Sequence, residues 1–156
     1  MSNHYTLNLV THFKEGLDPN DQATLKYLFM RSELAPNSWP QHMFFEDIPS
    51  PLYLGYESFA HGDFLCELWC HDDGSLAGMN LRIPSLKDNT FWSYLLLTDW
   101  LAKLSLSVGF IGTGTNEYRT SETMLLYVVE GVLYVNDFQP DQLKGFASGK
   151  SITIEN

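Results

Sequence analysis

The feature that most constrains the fold is an alternating pattern of side chains on both sides of Asp73-Gly74. Asp-Gly is a favoured pair for a two-residue β-hairpin turn, because both turn positions adopt positive φ. Such a turn sets the residues that face each other on one side of the hairpin: Cys70 and Ala77, Leu68 and Met79, Cys66 and Leu81, Phe64 and Ile83. All of these side chains suit a core face, and a one-residue slip would expose the whole set. The sequence therefore predicts paired strands at 64–71 and 76–83.

Both cysteines of the chain, Cys66 and Cys70, lie in this hairpin, and the predicted register points both into the core. A free cysteine behaves there as a small hydrophobic residue. The C-x3-C spacing differs from that of zinc sites, and two residues of one strand are poorly placed for a disulfide. We expect two buried, reduced thiols, with no metal site and no cofactor.

The other face of the predicted hairpin mixes polar and aromatic side chains. Glu67 lies opposite Asn80 and diagonal to Arg82, within reach of an ion pair, and Trp69 lies over Gly78. Two polar residues of an alternating N-terminal segment share this face if that segment joins the sheet. The candidate binding residues are Asn8, His12, Glu67, Trp69, His71, Asn80 and Arg82. Two interpretations stay open, a ligand- or protein-binding surface and an ordinary solvated sheet face.

Apolar periodicity along the rest of the chain predicts the remaining elements. Residues 5–14 alternate as a strand, and Asp18 caps a helix with Pro19 in its first turn. A second helix covers 88–104, and the last predicted elements are a strand at 106–111 and a hairpin of strands 124–129 and 132–135 around Glu130-Gly131. The order β-α-β-β-α-β plus a C-terminal β-hairpin predicts a single α+β domain over residues 1–156. Its expected layout is a ferredoxin-like antiparallel sheet with two helices on one face.

A long loop, residues 34–56, interrupts this pattern with four prolines among five aromatic residues. Prolines at this density exclude regular helix, while the aromatics argue against a floppy linker. Long loops in compact domains are often functional. We favour the alternative, in which the loop packs its aromatics over one edge of the core.

The helix at 88–104 is apolar on more than one side. Trp92 and Trp100 lie eight residues apart, which places them on roughly one face. A helix that is apolar nearly all round is usually covered on a second side. We therefore expect a homodimer through this helix.

Charge is distributed unevenly along the chain, whose formal net charge is −10. Residues 15–73 hold 11 acidic side chains against Lys26 and Arg31, a balance of −9. Such a field repels nucleic acid and anionic membranes and attracts basic partners. With no visible signal peptide, and an apolar segment at 91–104 too short and polar to span a bilayer, the sequence predicts a cytoplasmic protein without nucleic-acid or membrane partners.

Catalytic motifs such as G-x-S-x-G and H-E-x-x-H are absent from the sequence, and no catalytic residue is assigned. The leading hypothesis is a small acidic non-catalytic binding protein that neutralises a basic protein partner, as immunity proteins and small inhibitors do. The contact residues expected in the long loop are Trp39, Glu46, Asp47 and Glu57. One alternative is a small-ligand binder or an enzyme that uses the open sheet face, with His12 or His71 as acid or base. Another is a structural homo-oligomer.

Overall fold

The computed structural model describes residues 3–30, 32, 34–47, 64–106, 108–119, 122–138, 142–144 and 151–153. Within them, eight strands and two α-helices form. The strands are β1 (His4–His12), β2 (Leu65–Cys70), β3 (Leu76–Lys87), β4 (Gly109–Asn116), β5 (Thr123–Val129), β6 (Val132–Phe138), β7 (Gln142–Lys144) and β8 (Ser151–Thr153). The helices are α1 (Pro19–Phe29) and α2 (Asp88–Leu104), and a short 3-10 turn covers Met43–Phe45. Neither α-helix of these described residues is long and apolar enough to cross a membrane.

The six strands β1 to β6 form one antiparallel sheet in the order β2-β3-β1-β4-β5-β6, and β7 pairs separately with β8. The α+β class with an antiparallel sheet and two helices is confirmed. The ferredoxin-like order is not matched, because the C-terminal hairpin extends the same sheet beyond β4. Its strands join at Glu130 and Gly131, both with positive φ, as a tight hairpin turn requires.

Helices α1 and α2 each bury one apolar face in a core cluster against the sheet. Leu7 and Leu9 of β1 supply the centre of this core, because alternate residues of a strand point to the same face. The start of α1 follows the predicted cap, since the Asp18 side chain accepts a hydrogen bond of 2.8 Å from the backbone N–H of Asn20. The opposite face of the sheet, called the outer face below, is turned away from both helices.

The hairpin of β2 and β3 has the predicted register but a different turn. Cys66 pairs with Leu81 as expected. The Asp73-Gly74 pair is not a two-residue turn, however. The N–H of Gly74 donates to the carbonyl of His71 at 2.9 Å, and only Gly74 of the pair has positive φ, at 82°. The turn is thus one residue longer, and a register shift between Trp69 and Cys70 compensates for it, so the central pairs are those of the shorter turn.

Gly74→Val is expected to lower the free energy of unfolding by about 1 kcal/mol or more, because β-branched residues rarely adopt positive φ. A Cβ atom here meets nothing within 4 Å, so the cost is one of backbone conformation. Gly74→Asn is the matched control, because asparagine tolerates this region. The urea midpoint checks the expectation, and an equal midpoint for valine and wild type would contradict the turn geometry.

The described part of the long loop packs its aromatic residues against the helices. Ring centroids lie 5.5 Å apart for Tyr27 and Trp39, 5.9 Å for Trp39 and Phe45, and 4.9 Å for Phe45 and Trp100. The rings thus connect α1 to α2 through the loop. This is the packing favoured from the sequence.

The shared helix face expected for Trp92 and Trp100 is wrong. Trp100 is 3% exposed and packs against Phe45, whereas Trp92 is 56% exposed. Eight residues of helix correspond to a rotation of about 80° at 3.6 residues per turn, enough to separate a buried from an exposed position. The homodimer stays a prediction without this support.

Asp99 of α2 ties three parts of the chain together. One carboxylate oxygen lies 2.9 Å from Nε2 of the buried His42 side chain, and the other accepts the N–H of Leu133 in β6 at 3.1 Å. His42 Nδ1 accepts the N–H of Phe44 at 3.1 Å. Both ring nitrogens of His42 are therefore engaged, and the imidazole links the loop to α2.

Asp99→Ala is expected to lower the free energy of unfolding by about 1–3 kcal/mol, because it leaves the His42 ring and the Leu133 N–H without their acceptor. Asp99→Asn keeps one acceptor oxygen and is expected to cost less. Glu46→Ala, at an exposed position, is the control with little effect. Denaturant unfolding measures all three, and an Asp99→Ala midpoint equal to that of wild type would refute the bridge.

Candidate functional site: the outer face of the sheet

The outer face brings together six of the seven residues predicted to share it. Pairing of β1, β3 and β2 aligns them in three rows across the strands. The rows are His12, Gly78 and Trp69; Val10, Asn80 and Glu67; and Asn8, Arg82 and Leu65. We call the six predicted residues Asn8, His12, Glu67, Trp69, Asn80 and Arg82 the polar-aromatic patch. Its assembly follows from the register of β1 with β3, which the alternation of both strands favours.

Trp69 lies directly over Gly78. A Cβ atom at Gly78 would lie 2.8 Å from Trp69 Cε3 and 2.7 Å from the carbonyl oxygen of Thr11, too close for any larger residue. The His12 ring flanks the indole at a centroid distance of 5.5 Å and an interplanar angle of 38°. Glycine at position 78 therefore allows the indole to lie close to the sheet.

Arg82 is held by Asn8, since its guanidinium donates to Asn8 Oδ1 at 3.1 Å. Glu67 stands opposite Asn80 and diagonal to Arg82, as predicted, and Asn8 stands directly opposite Arg82. The ion pair within reach of Glu67 and Arg82 is not formed in the structure. The exposed Glu67 carboxylate forms no hydrogen bond or ion pair with any other described residue.

His71 does not join the patch. It lies in the turn between β2 and β3, where its N–H donates to the carbonyl of Ser75 at 2.8 Å, and it lines a separate cavity of about 300 Å³ with Lys14 and Asp73. The hydroxyl and N–H of Ser75 donate to Asp73 and lower the pKa of its carboxyl group. The longer turn thus removes His71 from the strand position assumed from the sequence.

The two cysteines have different environments. Cys66 is half-buried, with Sγ 3.8 Å from the carbonyl oxygen of Phe29. Burial raises the pKa of its thiol to about 12, and the negative charge of Glu67 adds to the shift. Cys70 is exposed, which contradicts the expected burial, because the register shift pairs it with Leu76 in place of Ala77. Among the described residues, no group of three or more His, Cys, Asp and Glu side chains is arranged to hold a metal ion.

Thiol labelling of native protein is expected to separate the two cysteines. At pH 8, Cys66 should hold roughly a thousandth of the thiolate of an ordinary cysteine, because its pKa is about 12 against 9.0. Cys66→Ser, which keeps Cys70, should therefore label rapidly, and Cys70→Ser, which keeps Cys66, slowly.

Labelling in urea, where both variants should react alike, is the control for this experiment. Rapid native labelling of Cys70→Ser would contradict the burial of Cys66. The raised pKa also has a consequence for stability. Between about pH 9 and 12 the Cys66 thiol is protonated in the folded state but ionised in the unfolded state. The contribution of Cys66 to the free energy of unfolding therefore declines as pH rises over this range.

Three of the four contact residues expected in the long loop lie among the described residues. Trp39 is half-buried between Tyr27 and Phe45, so it is no exposed anchor. Glu46 and Asp47 are exposed. The fourth predicted member, Glu57, lies outside the described residues.

Sequence reasoning missed an aromatic band on the other half of the outer face. Phe110 of β4 pairs with Tyr127 of β5, at a ring-centroid distance of 5.9 Å, and Tyr127 pairs with Tyr134 of β6. Phe110 and Tyr134 are 57% and 53% exposed, and Val10 on the same face of β1 is 46% exposed. We call Phe110, Tyr127 and Tyr134 the aromatic band, and Val10 adds an exposed apolar side chain on the neighbouring strand. The signal was present, since a turn at Glu130-Gly131 places Tyr127 opposite Tyr134.

Comparisons with known proteins found no match, so function is inferred from the structure. No protein-family model matches the chain, and the searches of curated proteins and of solved structures gave no match.

Proposed function

We propose that this chain is a non-catalytic binding protein whose outer sheet face docks a basic protein partner. The observation that carries the proposal is the aromatic band, whose Phe110 and Tyr134 are about half exposed on the same face as the half-exposed Val10. Tyrosine and other aromatic residues supply much of the binding energy at protein interfaces, because they bury large areas at low entropic cost. An exposed face of this composition suits a protein surface.

Charge supports a basic partner. The net charge of −10 steers positively charged proteins towards the chain over long range. Glu67 places a carboxylate within the outer face, and exposed Glu46 and Asp47 add negative charge elsewhere on the surface. Screening by salt shortens the reach of such a field to about 8 Å at physiological ionic strength, so association is expected to be sensitive to salt.

The outer face suits this function better than the long loop does. Trp39 is committed to packing between α1 and α2, so its removal would disturb the fold as well as any interface. Phe110 and Tyr134 have their larger part exposed. We therefore assign the binding energy to the outer sheet face and not to the loop, while the acidic residues supply the charge that steers the partner.

The test is capture of a partner from an extract of the source organism, followed by binding kinetics with the captured protein. Tyr134→Ala is expected to speed dissociation at least about tenfold, because it removes an interface anchor. Tyr118→Ala is the matched control, since Tyr118 is 59% exposed in the β4–β5 loop. Association should slow as salt rises.

Three results would overturn the proposal. The first is an equal increase in the dissociation rate for Tyr134→Ala and Tyr118→Ala. The second is a captured protein whose association rate does not change with salt, and the third is a co-purified small metabolite with no protein. The last result would favour the ligand-binding alternative at the polar-aromatic patch. A concentration-dependent mass in sedimentation, abolished by Tyr134→Ala, would favour the homo-oligomer.

A further inference from the structure

The indole of Trp69 is a preorganised platform within the outer face. It rests over Gly78, and the His12 ring flanks it at 5.5 Å. Because the indole is half-buried in this position, part of its surface still faces outwards and its conformation is restricted before anything binds. An aromatic face of this kind attracts cations through its quadrupole.

Glu67 supplies a negative charge beside this platform. It lies two residues before Trp69 on β2, so both side chains point to the outer face, at about 6.6 Å spacing along the strand. Its carboxylate is exposed and unpaired among the described residues, since the nearby Arg82 is engaged by Asn8. Asn80, directly opposite Glu67, adds a side-chain amide.

We propose that Trp69 and Glu67 together bind the cationic head of a lysine or arginine side chain. The indole takes the cation on its face while the Glu67 carboxylate accepts its N–H groups, a charge-assisted contact stronger than one between neutral groups. A single carboxylate beside an indole is a poor set of ligands for a divalent metal ion, which takes several oxygen or nitrogen donors. The inference rests on the proposed function and names the chemistry by which the outer face recognises a basic partner.

Four small probes test this site without a partner. They are the N-acetyl methylamides of lysine, arginine, norleucine and glutamate, titrated into ¹⁵N-labelled protein. The Trp69 indole N–H signal, assigned by its loss in Trp69→Phe, is expected to shift saturably with the lysine and arginine probes. Norleucine, which keeps the aliphatic chain without the charge, and glutamate should leave it unchanged. Equal shifts with norleucine would overturn the proposal.

Charge removal gives the second arm of the test. Glu67→Gln keeps the shape of the side chain and is expected to weaken binding of the arginine probe about 3- to 30-fold. Glu15→Gln, at an exposed position outside the polar-aromatic patch, is the matched control and should bind like wild type. Equal affinity in Glu67→Gln and wild type would overturn the site. Unfolding midpoints of both variants show that the comparison is between folded proteins.

The two proposals fail in different ways. If a partner binds through Tyr134 but Glu67→Gln leaves both that complex and probe binding unchanged, the cation site is wrong and the proposed function stands. If the probes bind in a Glu67-dependent manner but no protein partner is captured, the proposed function is wrong and the cation site stands.

Discussion

The double pairing of β1 is the constraint on which the rest of the structure depends. β1 forms ladders with β3 on one side and β4 on the other, so it joins the half of the sheet that carries β2 to the half that carries β5 and β6. Its inward residues, Leu7 and Leu9, fill the core, and alternate residues face outwards. The close approach of β4 requires glycine, because a Cβ atom at Gly112 would collide with the carbonyl oxygen of Asn8. The register of β1 with its two neighbours therefore determines both which residues fill the core and which residues lie on the outer face.

This register divides the outer face into two halves of different chemistry. The β2, β3 and β1 half carries charge and hydrogen-bonding groups, represented by Glu67 and Arg82, while the β4, β5 and β6 half carries Phe110 and Tyr134. In an interface that combines an apolar region with a few oriented charges, the apolar region supplies most of the affinity and the charges supply most of the selectivity. The arrangement supports the proposal of one protein partner that spans both halves.

Local pattern predicted most of the elements and much of the candidate site, since side-chain alternation determines which residues share a face. Cys66, Trp69 and Asn80 take their expected pairings because a longer turn and a compensating register shift cancel each other. Cys70 lies between the register shift and the turn, so it does not take its expected pairing, and the prediction that it is buried is wrong. The joining of β5 to β4 was not predicted, because pairing between strands separated by a loop depends on backbone groups that no local side-chain pattern reveals. The bounds of one strand were also wrong, because the strand predicted at 106–111 is observed at Gly109–Asn116, and its glycine- and threonine-rich second half lacks the apolar alternation that indicates a strand. Periodic segments such as α2 were predicted at their observed bounds.

The bridge at Asp99 also bears on how the sheet ends. β6 pairs with β5 on one side, and the N–H of Leu133 turns away from that ladder to reach the Asp99 carboxylate. An unpaired N–H on an edge strand can bind a strand from another molecule, which is the first step of edge-to-edge aggregation. Here a helix places a charged group at that position, and His42 holds the group in place. The contact that anchors the loop to the helix thereby also blocks growth of the sheet at Leu133.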